Sequence, residues 1–132
     1  MEKISEKTNA LNWFEIPVTD TARAKKFYET LFDIRMETTD MMGMEMTFFP
    51  FDAEGSSGKV SGALVKADMM KPGMDGPVVY LNANPDIQTI VDRIEGAGGK
   101  VLMPTTLISE EIGYMAFFAD TEGNRLALHA HK

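Results

Sequence analysis

The chain predicts an α+β fold made of two copies of one unit, each a strand, a helix and three further strands. Three observations carry that prediction. Residues 11–18 alternate as a strand and run straight into an amphipathic helix opening at Asp20. The same order recurs from Val78, with a second helix opening at Asp86. Between the two, Lys71-Pro72-Gly73-Met74-Asp75-Gly76-Pro77 is the densest turn signal and falls near the middle of the chain. The expected organisation is a flexible leader over residues 1–9 and one domain over residues 10–132. Its two modules cover about 10–70 and 76–131, with a cleft between them.

In the first strand Phe14, Ile16 and Val18 form one apolar face and Trp13, Glu15 and Pro17 the other, because successive Cβ atoms alternate across a strand. Asp20 is placed to cap the helix, its carboxylate taking a freed backbone N–H. Ala24, Phe27, Tyr28, Leu31 and Phe32 then fall at helical spacing, with Arg23, Lys25, Lys26 and Glu29 outside. Residues 34–39 predict a short strand before a turn at Asp40–Gly43. Residues 44–51 alternate again, with Met44, Met46 and Phe48 against Glu45, Thr47 and Phe49. A loop is expected over Glu54–Gly58 and a strand over Val60–Lys66.

In the second half, Val78–Ala83 predicts a strand. Asp86 caps a helix carrying Ile87, Ile90, Val91 and Ile94, and Gly96, Gly98 and Gly99 end it. Val101–Met103 is expected to be short, stopped by Pro104. Tyr114–Ala119 and Arg125–Ala130 are strands joined by the turn Asp120-Thr121-Glu122-Gly123-Asn124. Asp52-Ala53-Glu54-Gly55 echoes that turn, and each follows an aromatic pair, Phe48-Phe49 and Phe117-Phe118.

Composition narrows the function classes. A chain of 132 residues buries roughly 65–70% of its unfolded surface and needs no staples. The absence of cysteine excludes disulfides, thiolate metal sites and a cysteine nucleophile, and leaves the compartment open. A net charge of -7 counts against nucleic acid and anionic membranes as partners. No apolar run approaches the roughly 20 residues of a membrane span, and Met1–Asn9 lacks the apolar stretch of a signal peptide, so a cytoplasmic protein is expected. Eleven methionines, clustered at residues 41–46 and 69–74, read as adaptable core filler or as a deformable wall for an apolar ligand or a partner subunit. Gly96-Ala97-Gly98-Gly99 follows a helix where a phosphate loop would open one. The acidic 120–124 segment lacks the full calcium-loop pattern and reads as a hairpin turn.

Five segments, in this order and spacing, resemble the vicinal oxygen chelate superfamily of glyoxalase I, bleomycin-resistance proteins and extradiol dioxygenases. They are Phe14-Glu15-Ile16-Pro17-Val18-Thr19-Asp20, Arg23-Ala24-Lys25-Lys26-Phe27-Tyr28, Leu31-Phe32, Gly98-Gly99-Lys100-Val101 and Asp120-Thr121-Glu122-Gly123-Asn124-Arg125. The likeness starts near residue 10, covers nearly all the rest, and is nearest to bacterial proteins related to lactoylglutathione lyase. It implies paired βαβββ modules whose eight strands form two curved mixed sheets around a cup, helices outside. It also implies homodimers that sometimes exchange modules. Metal-using members place one His, Gln or Glu on each of up to four cup-lining strands, ligands that suit a divalent ion polarising adjacent substrate oxygens. The matching positions here are Trp13, Ala63, Val78 and Ala127, and none carries a ligating side chain. No cofactor is expected, and a divalent metal finds no support at these positions.

By alternation the cup is expected to carry Trp13, Glu15, Glu45, Thr47, Phe49, Val78, Tyr80, Asn82, Met115, Phe117, Arg125, Ala127 and His129. Trp13, Phe49, Met115 and Phe117 would be walls, and Glu15, Tyr80, Asn82, Arg125 and His129 would orient polar ends of a ligand. Glu15 and His129 are the catalytic candidates. Glu15 reads as a general base in a partly apolar cup, or as an acid held by water or by Arg125. His129 shares the Ala127 face, or belongs with His131 to a polar tail. With Glu45 these two could bind a metal facially, although the spacing does not force them together. Trp13 either fills the space of the metal or offers a platform for a flat or cationic ligand. The expected function is small-molecule binding without the usual metal centre. The alternatives are a glyoxalase-type lyase or isomerase with a non-standard metal or acid–base site, and a drug-sequestering resistance protein.

Overall fold

The computed structural model describes residues 3–54 and 58–132. Met1 and Glu2 of the expected leader, and Gly55, Ser56 and Ser57 of the expected loop, lie outside the described residues. The first module comprises β1 (Trp13–Pro17), α1 (Thr21–Phe32), β2 (Glu37–Met41), β3 (Met44–Phe48) and β4 (Ser61–Lys66). The second comprises β5 (Tyr80–Asn82), α2 (Ile87–Ile94), β6 (Lys100–Ser109), β7 (Gly113–Ala119) and β8 (Arg125–Ala130). Each module folds into its own four-stranded mixed sheet, in the orders β1-β4-β3-β2 and β5-β8-β7-β6. The first strand of each pairs parallel to the last, and the hairpins supply the antiparallel pairs.

Local chemistry sets the boundaries. Asp20 accepts from the Arg23 N–H at 3.0 Å and Asp86 from the Gln88 N–H at 3.0 Å, so both predicted caps start their helices. The 40–43 turn is a two-residue hairpin in which Met42 and Gly43 both have positive φ, 55° and 79°. That is the turn whose twist matches the flanking strands. β6 departs from expectation. It continues through Pro104 to Ser109, but its pairing to β7 breaks register between Met103 and Thr106. Proline is tolerated there because the ladder asks no N–H of it.

One helix covers one face of each sheet. Ile16, Val18 and Leu64 of the first sheet, Leu81, Phe118 and Leu128 of the second, and the inward faces of α1 and α2 form a single core. Gly62 keeps β1 and β4 close: a Cβ there would sit 2.4 Å from the Phe14 carbonyl oxygen and 2.6 Å from its ring, so no other residue fits without moving the strand. The apolar opposite face of the first sheet, with Met46, Ala63 and Val65, is a separate small cluster against which Ala67 and Met70 pack.

The Asp120–Asn124 turn joins the modules. Glu122 Oε1 accepts the N–H groups of Thr19 and Asp20, each at 2.9 Å, and the Thr19 hydroxyl at 3.0 Å. Arg23 Nε donates to Glu122 Oε2 at 2.7 Å and Nη2 to Oε1 at 3.0 Å. Burial raises the Glu122 pKa and is the largest single influence on it. The hydrogen bonds from Arg23, from the Asp20 and Thr19 N–H groups and from Thr121 together outweigh it, and hold the carboxyl at about 2. Asp120 accepts the buried Tyr28 hydroxyl at 2.7 Å, and Asn124 Nδ2 donates to the Pro17 carbonyl at 2.7 Å. Burial, then the Asp120 charge, push the Tyr28 phenol well above its usual range, so it stays a donor. The segment that reads as a simple hairpin turn is therefore a polar clasp across the module boundary.

Candidate functional site

The helix-free side of each sheet is its open face. In the first sheet, register aligns Glu15, Ala63, Phe48 and Glu37 in one row across β1, β4, β3 and β2. In the second, Tyr80, Ala127, Phe117 and Met103 form the equivalent row across β5, β8, β7 and β6. Ala63 and Ala127 are fully buried and occupy matching places. The duplication is thus visible in side-chain layout: a small residue at the centre of each row, with an aromatic ring on the strand beside it.

Aromatic rings gather over both rows. Trp13 lies 6.0 Å from Phe48 and 6.3 Å from Phe51, and Phe48 and Phe51 are 5.5 Å apart. Tyr80 and Phe117 meet edge to face at 5.9 Å. Trp13 is 37% exposed and Tyr80 50%, so both rings offer surface to a visiting molecule.

The expectation for β3 needs correction. Glu45, Thr47 and Phe49 do not share the face of Trp13 and Glu15. Phe49 packs on Phe14 and Tyr28 under α1, at 5.5 and 5.6 Å. Thr47 is fully buried and shares a hydrogen bond with Thr38 at 2.7 Å. Glu45 accepts the Thr21 hydroxyl at 2.6 Å at the start of α1. Met44, Met46 and Phe48 take the open face instead. The cause is the β3–β4 register, Phe48 opposite Ala63 and Thr47 opposite Leu64, which turns the polar set inward. Thr38 and Thr21 satisfy the polar atoms so placed.

The acid–base set does not assemble either. Glu15 and Glu45 stand on opposite faces of one sheet. His129 belongs to the other sheet, where its Nε2 bonds the Ile112 carbonyl at 2.7 Å and its ring meets His131 at 5.4 Å. Arg125 does not hold Glu15. Its Nη2 donates to the Gly76 carbonyl at 2.8 Å, and its Nε is buried with no hydrogen-bond partner among the described residues. Among the described residues no group of three or more His, Cys, Asp or Glu side chains could hold a metal ion. The donor chemistry at Trp13, Ala63, Val78 and Ala127 does not fit one, since an indole and three alkyl side chains offer no lone pair of the required kind.

Phe49, Val78, Tyr80 and Asn82 border one groove, of about 800 Å³, lined from the first module also by Phe14 and Phe32 and from the second also by Leu81 and Ile90. Asn82 Oδ1 there accepts the Asn84 N–H at 2.9 Å and the Asn84 Nδ2 at 2.8 Å. Met115, opposite His129 in register, shares the open face of the second sheet with Phe117. Phe48, Phe51 and Glu37 were not among the candidates that the sequence suggested. The repeated aromatic pair was the available signal for Phe48.

Comparison with known proteins follows the same lines. Residues 10–128 match the family described as the Glyoxalase/Bleomycin resistance protein/Dioxygenase superfamily. A candidate glyoxylase named CFP32 from Mycobacterium bovis is 31% identical over 97% of this chain and 48% of its own length. A glyoxylase-like domain-containing protein from Didymella fabae is 28% identical over 89% of this chain and 91% of its own. Among solved structures, an E144Q mutant of glyoxalase I from Zea mays superposes with a TM-score of 0.69 at 18% identity, over 91% of this chain and 44% of that one. The chain thus spans about half the length of CFP32 and of the maize enzyme.

Proposed function

The chain belongs to the glyoxalase/bleomycin resistance protein/dioxygenase superfamily, and from that premise we propose that it binds a small organic molecule on its open sheet faces without the usual metal centre. One observation carries the reading. The two open faces repeat the same layout, and at each place where the resemblance calls for a ligand stands an aromatic or alkyl side chain. Removing the ligands takes away the charge that polarises adjacent oxygens. The aromatic surface that remains suits binding. Binding takes precedence over lyase chemistry because Glu15, Glu45 and His129, the residues that would carry acid–base work, lie on three separate surfaces.

Metal content is the direct test. Protein purified without chelator or affinity tag, and again after divalent ions are added back, is expected to hold no stoichiometric metal by inductively coupled plasma analysis. One tightly held transition metal per chain would overturn the proposal. A library of small aromatic and aliphatic compounds is expected to shift the amide resonances around Trp13 and Tyr80.

The reading includes a homodimer. Leu107, Ile108 and Ile112 at the β6–β7 hairpin are 39–52% exposed, an apolar tip of the kind a partner covers. Light scattering after size exclusion is expected to give twice the 14.6 kDa chain mass, and Ile112→Glu is expected to shift it to the monomer. A monomer for the unaltered chain at every concentration would sink that part alone.

A further inference from the structure

We propose that the open face of the first sheet selects an organic cation, an alkylated or protonated amine with an apolar body. This deepens the proposed small-molecule reading and rests on it.

Three observations converge. Trp13, Phe48 and Phe51 form a triangle with sides of 6.0, 6.3 and 5.5 Å, their planes inclined to one another by 51–85°. A cation seated over such a triangle lies within about 6 Å of every ring centroid, and each ring that turns its face to it attracts it through the ring quadrupole. Second, the row that contains Phe48 ends in a carboxylate on each side, Glu15 on β1 and Glu37 on β2. Both are exposed, and neither forms a salt bridge with a described residue. Third, no strand residue on this face is basic: Lys66 is paired with Glu45 in register and shares that residue's opposite face. The second sheet has an aromatic pair but no carboxylate in the equivalent row, where Tyr80 and Met103 stand in place of Glu15 and Glu37. Charge therefore distinguishes two otherwise matching faces, and it favours a positive ligand on the first. Met44 and Met46 beside the rings give its apolar body a deformable floor.

Trp13 is the single tryptophan, so its emission reports this face alone. The probes are choline and its neutral isostere 3,3-dimethyl-1-butanol, titrated at low ionic strength and again in about 0.15 M salt, where the Debye length falls to about 8 Å. Choline is expected to perturb Trp13 emission with about tenfold preference over the alcohol, the size of a moderately desolvated cation–π and carboxylate contribution. Glu15→Gln with Glu37→Gln is expected to remove most of that preference and its salt dependence while leaving the circular dichroism spectrum unchanged. Equal binding of the two probes would overturn the cation proposal and leave the small-molecule reading standing. No response to either probe, nor to the wider library by amide shifts, would overturn both. A Trp13 emission that changes with protein concentration alone would mean that a second copy covers this face, and would also overturn the proposal.

Discussion

Phe27→Ala is expected to lower the free energy of unfolding by about 3–5 kcal/mol, the range for truncating a fully buried phenylalanine. The ring is 1% exposed and stands where the modules join. It meets Tyr28 edge to face at 4.9 Å and lies 6.1 Å from Phe118 of the second sheet. Gly99 leaves it room: a Cβ there would fall 2.7 Å from the Phe27 ring and 2.6 Å from the Ala119 carbonyl oxygen. Alanine would remove the apolar transfer free energy and leave a cavity between two rigid layers that cannot close on it. Urea denaturation followed by far-ultraviolet circular dichroism and by Trp13 emission would measure the loss, since Trp13 is in the other layer of the first module. Coincident transitions are expected for the unaltered chain, because one core serves both modules. A loss of about 1 kcal/mol or less, typical of a surface position, would show that this ring does not join the modules.

Elements governed by local chemistry are legible in the sequence. Asp20 and Asp86 announced both helices through the same short-range need, a carboxylate for freed N–H groups. β8 runs over the residues expected of it, Arg125–Ala130, because alternation and a glycine-bearing turn both bound it. β6 ran past its expected stop because proline breaks a strand only where a ladder bond is required, and that requirement depends on a partner strand. The fold class and family assignment followed from the order of such pieces, and matched neighbours of the same architecture.

Which face a strand presents is a different kind of information. For β1, β5, β7 and β8 the apolar set was evident, and it packs under the helices. On β3 both alternate sets are plausible: Met44, Met46 and Phe48 look like core, Glu45 and Thr47 like cavity. Polarity points the wrong way because the polar atoms turned inward find partners on other elements, Thr21 at the start of α1 and Thr38 on the neighbouring β2. The internal repeat held the answer. Phe117 faces the open side and Phe118 the core, and Phe48 and Phe49 divide in the same way. Superimposing those pairs gives the β3 orientation directly, and with it the aromatic triangle around Trp13.

Removing the clasp is expected to be the second large effect. Asp120→Ala would strand the Tyr28 hydroxyl, fully buried, and the N–H groups of Glu122 and Asn124, which donate to Asp120 Oδ1 at 2.8 and 2.9 Å. Leaving such donors unpaired is expected to cost about 2–4 kcal/mol in total. Glu122→Gln separates charge from shape, since the amide keeps the size but loses the attraction for Arg23 and for the start of α1. The folded-state carboxyl is held near 2, below the ordinary glutamate value of 4.5. A depressed carboxyl pKa adds stability that is fully present above the unfolded value. The contribution fades as pH falls through 4.5 and is gone below about 2. Because Arg23 is half exposed, solvent screening reduces the contribution to about 1–2 kcal/mol. Denaturation of both proteins should therefore show that gap at pH 6 and a vanishing gap near pH 2. A gap that stays constant across this range would mean that the carboxylate's charge contributes nothing, and that the clasp works through shape and neutral hydrogen bonds alone.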